Sequence, residues 1–202
     1  MFKLITTASL AILMFVASHA NAALIADTGT PNPTGLGYLL GGNDYFAGQV
    51  TFSQDSTINS IQTYLNLDSS GYSAPDSFTV ALYSNNVNNT VGSLINSFTA
   101  NYSGTEGWNG VYNISQLVSA GKYWVAFEGD SSGASYIASD VAPNPLALTA
   151  FNSGSGYNNS PMNFALQVDA VAAVPEADSN AMFLAGLGLL GFISRRRKNE
   201  RA

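Results

Sequence analysis

The chain has 202 residues, no cysteine, and thirteen acids against seven bases, for a formal net charge of −6. Without cysteine there is no disulfide staple, thiolate zinc site, cysteine nucleophile or covalent haem attachment. Ten acids but only one base, Lys122, fall between Ala23 and Ala173, so this body carries a formal charge of −9. Such a body repels nucleic acid and anionic lipid, whose phosphates call for Lys and Arg. It also repels acidic polysaccharide unless a cation bridges the two.

In chain order, Met1 to Ala22 reads as a secretory signal peptide: Lys3 supplies the positive start, Leu4 to Val16 the apolar stretch, and Ala20-Asn21-Ala22 a small-x-small cleavage site. The mature chain is expected to begin at Ala23. The only histidine, His19, lies inside this signal, so the body holds neither a Ser-His-Asp triad nor a histidine-rich metal site.

The body, 23–173, is long enough for one domain with its own core. Residues 27–43, rich in Gly and Pro, read as a loop. Strands are expected at Gln49–Ser53, Asn59–Leu67 and Ser77–Tyr83; in the last, Phe78, Val80 and Leu82 share one face. The Asn-rich stretch Asn85–Thr90 reads as a turn, because Asn tolerates left-handed backbone. Further strands are expected at Ser93–Tyr102, Trp108–Ile114, Lys122–Glu128, Ser135–Ser139, Leu146–Phe151 and Met162–Asp169, with one helical turn over Ser115–Ala120. In Lys122–Glu128, Tyr123, Val125 and Phe127 face one way, and Trp124 and Ala126 the other. Short alternating strands between polar turns predict an all-β fold, an antiparallel two-sheet sandwich of jelly-roll type. It would be flanked by an N-terminal signal helix and a C-terminal hydrophobic helix. Residues 169–178 read as a linker to the tail.

The tail, 174–202, has three parts in order. Val174-Pro175-Glu176 comes first, then the apolar run Ala181–Ile193, then the basic cluster Arg195, Arg196, Arg197 and Lys198. Thirteen helical residues reach ~20 Å, short of the ~30 Å hydrocarbon core, and three glycines weaken the helix further. The basic cluster favours the cytoplasmic side. This order resembles the PEP-CTERM sorting signal of exosortase substrates in Gram-negative bacteria that make exopolysaccharide. Ala177 stands where that family most often has a second proline. The resemblance implies export through the inner membrane, a transient membrane anchor, and release to the cell surface or medium. The partners it implies are signal peptidase, the secretion machinery, an exosortase-type membrane protease and exopolysaccharide or biofilm matrix. A label also used for such tails, ice-binding protein C-terminal region, carries no ligand chemistry. The body itself resembles β-sandwich ectodomains found ahead of this tag, through Gly107-Trp108, Ser115-Gln116-Leu117 and Ala120-Gly121-Lys122-Tyr123-Trp124-Val125. That likeness implies fold rather than activity.

Two functions stay open. One is a non-enzymatic surface or matrix protein with weak carbohydrate binding, in which Trp108, Tyr112 and Trp124 are candidate stacking residues. The other is a carboxylate-dependent glycoside hydrolase, which needs two acids ~5–9.5 Å apart across a sugar bond. The body's only glutamates, Glu106 and Glu128, with Asp130 nearby, are the candidates. No cofactor is expected. The oxygen-rich turns Glu128–Ser132 and Asp68–Asp76 offer ligands of the kind that calcium takes, a weak signal, since neither matches an EF-hand loop.

Overall fold

The computed structural model describes residues 22–31, 37–66, 77–102, 105–129, 135–137 and 142–173. The signal and tail helices expected from the sequence lie outside these residues. The body, residues 21–172, forms one compact unit by itself.

It is all-β, with two antiparallel sheets. The strands are β1 (Ala22–Asp27), β2 (Tyr38–Leu40), β3 (Asp44–Phe52), β4 (Ser56–Asn66), β5 (Ser77–Asn85), β6 (Val91–Asn101), β7 (Gly107–Val118), β8 (Gly121–Gly129), β9 (Ser135–Ile137), β10 (Thr149–Ser153), β11 (Asn158–Asn159) and β12 (Leu166–Ala172). In the first sheet β12 lies between β1 and β4, and β7 takes the other side of β4. Pairing of β12 with β4 stops at Thr63, and β9 takes over at Leu65 and Asn66, bringing β2 with it. The second sheet runs β11-β10-β3-β8-β5-β6. Setting aside the short β2, β9, β10 and β11, eight strands remain. Counted along the chain, the first sheet holds strands one, eight, three and six, and the second holds two, seven, four and five.

Alternating apolar residues from both sheets meet in one core. Ile58, Ile61 and Leu65 of β4 and Leu166, Val168 and Ala170 of β12 come from the first sheet. Phe46 and Val50 of β3, Phe78, Val80 and Leu82 of β5 and Val125 and Phe127 of β8 come from the second. Each fully buried large side chain contributes about 1.5–3 kcal/mol relative to exposure, which suits a domain with no disulfide.

Two regions depart from the sequence reading. First, β1, β2 and β11 are additional strands, the first two within or beside stretches read as signal end and loop. β1 starts at Ala22, and Ala22 pairs with Val171 near the end of β12. Second, the helical turn expected over Ser115–Ala120 is absent, because β7 continues to Val118. The cause is an irregularity in β7. Between the pairs Ser60–Tyr112 and Ile58–Gln116, three residues of β7 face one of β4. Asn113 (φ 55°) and Ser115 (φ 51°) adopt left-handed backbone on either side of Ile114, whose side chain packs against the core. This bulge breaks the period-two pattern that reveals a strand. The Asn-rich turn forms as expected between β5 and β6, with Asn89 at φ 52° and Asn89 N donating to the Asn86 carbonyl.

Candidate functional site

The two tryptophans part company. On the first sheet, Tyr64 of β4 pairs with Trp108 of β7, and their rings meet edge to face, centroids 5.7 Å apart at 89°. Tyr64 lies between Thr63 and Leu65, both buried, so its ring stands on the outer face. Two residues back, Gln62 also points outward, and its Oε1 accepts the Tyr112 hydroxyl at 2.9 Å. Tyr112 is 55% exposed. Trp108, Tyr112 and Tyr64 therefore share one outer face, with the amides of Gln62 and Gln167 beside them. Gln167 of β12 pairs with Gln62 and donates to Asp27 Oδ1 of β1 at 3.1 Å. Gly110 lies between Trp108 and Tyr112 because a Cβ there would run into the Ile61 carbonyl oxygen. The Tyr64 hydroxyl donates to Glu106 Oε1 at 3.0 Å. Partial burial, reinforced by this bond and the negative charge of Glu106, pushes the Tyr64 hydroxyl above its ordinary value.

Trp124 belongs to the opposite outer face and is 0% exposed, so it offers no ring to a ligand. This corrects its place among the stacking candidates. The reason is a row of alanines across the second sheet: Ala150 pairs with Ala47, Ala47 with Ala126, and Ala126 with Ala81. Side chains this small leave a trough. Trp124 fills part of it, and Tyr83, Val91, Leu148 and Tyr157 pack against the same cluster. The indole N–H donates to Asn85 Oδ1 at 2.9 Å, and Gln49 Nε2 donates to the same oxygen at 2.8 Å. Lys122, exposed, donates to Asn89 Oδ1 at 3.1 Å.

The carboxylates do not pair. Glu128 lies on the outer side of the second sheet, where Tyr83 (2.6 Å) and Tyr157 (2.8 Å) both donate to its Oε1. Burial, then the bond to Glu128 and its charge, raise the Tyr83 hydroxyl; burial, then the charge of Glu128 and the bond to it, raise that of Tyr157. Glu106, bonded to Tyr64, belongs to the first sheet's outer face. Two acids on opposed outer faces do not straddle one glycosidic bond. Asp130, most of the Glu128–Ser132 turn and the whole Asp68–Asp76 loop fall outside the described residues. Among the described residues, no group of three or more acids or histidines gathers for a metal. A cavity of about 540 Å³ opens elsewhere, bordered by Tyr38, Leu146, Leu148, Met162 and Asn163 among others. None of the three aromatic candidates lines it.

Of the processing residues, Ala22 and Ala23 fall in β1, the latter exposed, while Ala20 lies outside the described residues. So do Val174, Pro175 and Glu176 and the cluster Arg195, Arg196, Arg197 and Lys198. The described body is thus a two-sheet β domain followed by a tagged tail. Residues 173–198 match the PEP-CTERM protein-sorting motif. That motif supports an exosortase substrate, and it implies export, a membrane-anchoring sorting signal, and processing by exosortase and the secretion machinery. Comparison with curated proteins finds no match.

Proposed function

We propose that this chain delivers a non-enzymatic carbohydrate-binding domain to the cell surface or extracellular matrix, within an exopolysaccharide layer or biofilm. Signal peptidase removes Met1–Ala22, an exosortase-type protease removes the tail, and the body works without a cofactor. The order one-eight-three-six over two-seven-four-five supports a jelly-roll sandwich for that body. The observation that carries the reading is the outer face of the first sheet. There Trp108, Tyr64 and Tyr112 stand beside Gln62 and Gln167, a combination of flat apolar rings and hydrogen-bonding amides that suits sugar rings and their hydroxyls. No observation favours the glycoside hydrolase, since Glu106 and Glu128 occupy opposed faces.

Affinity electrophoresis of the exported protein through gels holding soluble polysaccharides tests this. Retardation is expected on at least one glycan, with no loss of polymer length. Trp108→Ala should abolish most of it. Polymer cleavage by the pure protein, or retardation unchanged in Trp108→Ala, would refute the proposal.

A further inference from the structure

The same outer face also specifies the charge of its sugar. We propose that it binds a polysaccharide whose units carry free amines, a glucosamine-type polymer. This rests on the reading of the face as glycan-binding and adds the chemical class of the glycan.

Three acids border or stand on the face. Asp27 of β1 is exposed and accepts from Gln167 at 3.1 Å. Asp169 of β12 lies between Val168 and Ala170, both core residues, so it points outward; across the ladder its partner is Leu24, itself 53% exposed. Glu106, exposed, precedes β7 and bonds to Tyr64. The body's one basic side chain, Lys122, is on the second sheet and bonds to Asn89 there. The first sheet's outer face therefore presents carboxylates and aromatic rings with no basic side chain.

Charge decides between glycan classes. An acidic polymer meets a body of charge −9 and is repelled. A neutral polymer is held by rings and amides alone. A free-amine sugar is a weak base, cationic in mildly acidic solution; there it keeps the ring stacking and adds attraction to Asp27 on β1, Asp169 on β12 and Glu106 just before β7, all around the aromatic shelf. Neighbouring strands are ~4.8 Å apart, so β1 to β7 spans ~14 Å. A face of that width spans more than one sugar unit, which suits a polymer.

The test is titration calorimetry of the exported protein at about pH 5.5, where sugar amines are protonated and ordinary carboxyls are ionised, with four oligomers of equal length: glucosamine, N-acetylglucosamine, glucose and galacturonate. Glucosamine oligomers should bind about tenfold tighter than their N-acetylated counterparts. Most of that advantage should vanish at 1 M salt, where the screening length falls to about 3 Å. Trp108→Ala should weaken binding about tenfold for every oligomer that binds. Asp169→Asn should weaken only the glucosamine series, about two- to fivefold, as expected for an exposed ion pair. Equal affinity for the acetylated and free-amine series would overturn the charge assignment while keeping the glycan reading. Preference for galacturonate would overturn it too. Glucosamine binding indifferent to both Trp108→Ala and Tyr112→Ala would mark bulk charge attraction and overturn the site. Silence toward all four would remove the glycan reading along with it.

Discussion

Replacing Trp124 with alanine should be among the most damaging single changes in the body, although nothing about it involves a ligand. The indole is wholly buried in the second sheet's outer trough, over alanines that cannot expand to fill a void. Large aromatic-to-alanine changes at such sites cost about 3–5 kcal/mol, and little local collapse is available here to lower the figure. The polar part of the loss is small, because Asn85 Oδ1 still accepts from Gln49 Nε2 at 2.8 Å. For a domain of this size each kcal/mol moves the melting midpoint by about 2–4 °C, so Tm should fall by about 6–20 °C. Trp108→Ala removes a part-exposed ring and one edge-to-face pair, the pair worth about 0.5–1.5 kcal/mol beyond the area it buries, and should lower Tm by clearly less than Trp124→Ala does. Thermal melts of the exported protein followed by far-ultraviolet circular dichroism would compare the two. A Trp124→Ala midpoint within 3 °C of the parent, or an equal loss for Trp108→Ala, would refute the assignment of one tryptophan to packing and the other to the surface.

Three further outcomes are expected. Tyr83 and Tyr157 hold their protons above the ordinary value of 10.0, so their contribution is whole below pH 10 and is lost as the pH climbs from there toward their folded values. Stability should drop by at most about 1.4 kcal/mol per pH unit for Tyr157, and by less for the more exposed Tyr83. Urea titrations between pH 9 and 11 should show a shallower decline in Tyr157→Phe, and an unchanged slope would count against this. Gly110→Ala forces a Cβ onto the backbone of Ile61 and Gln62 and should cost about 1–3 kcal/mol; an unaltered melt would show that the strands are not so close. Intact mass of the released protein should lack Met1–Ala22 and everything beyond the Pro175-Glu176 region, and retention of Arg195–Lys198 would contradict the sorting assignment.

The strands that alternation made legible were those with a large apolar residue at every second position. Phe78-Val80-Leu82 and Val125-Phe127 announced β5 and β8 because one face of each lines the core. β7 was legible only to Ile114, since left-handed Asn113 and Ser115 displace the pattern and made the remainder read as a helical turn. β1 was hidden because its first residue doubles as the end of a cleavage motif. The stacking candidates were separable only by register. What buries Trp124 comes from Asn85, Tyr157 and three other strands' alanines, all distant in sequence. One signal was available: Ala47, Ala81, Ala126 and Ala150 all lie in strands, where alanine is depleted, and such small residues leave room for something larger above them.

The pairing of Ala23 with Ala170 has a mechanical consequence. The chain leaves the body along β12, an inner strand held by β1 on one side and β4 on the other. A pull on its C-terminal end, such as a membrane-held tail would exert, acts along β12 and loads both ladders in shear. Many hydrogen bonds then share the force at once, whereas an edge strand peeled sideways would surrender them singly. A domain tethered through this strand resists traction at its own point of attachment, and the strand lying alongside is the first of the body, β1.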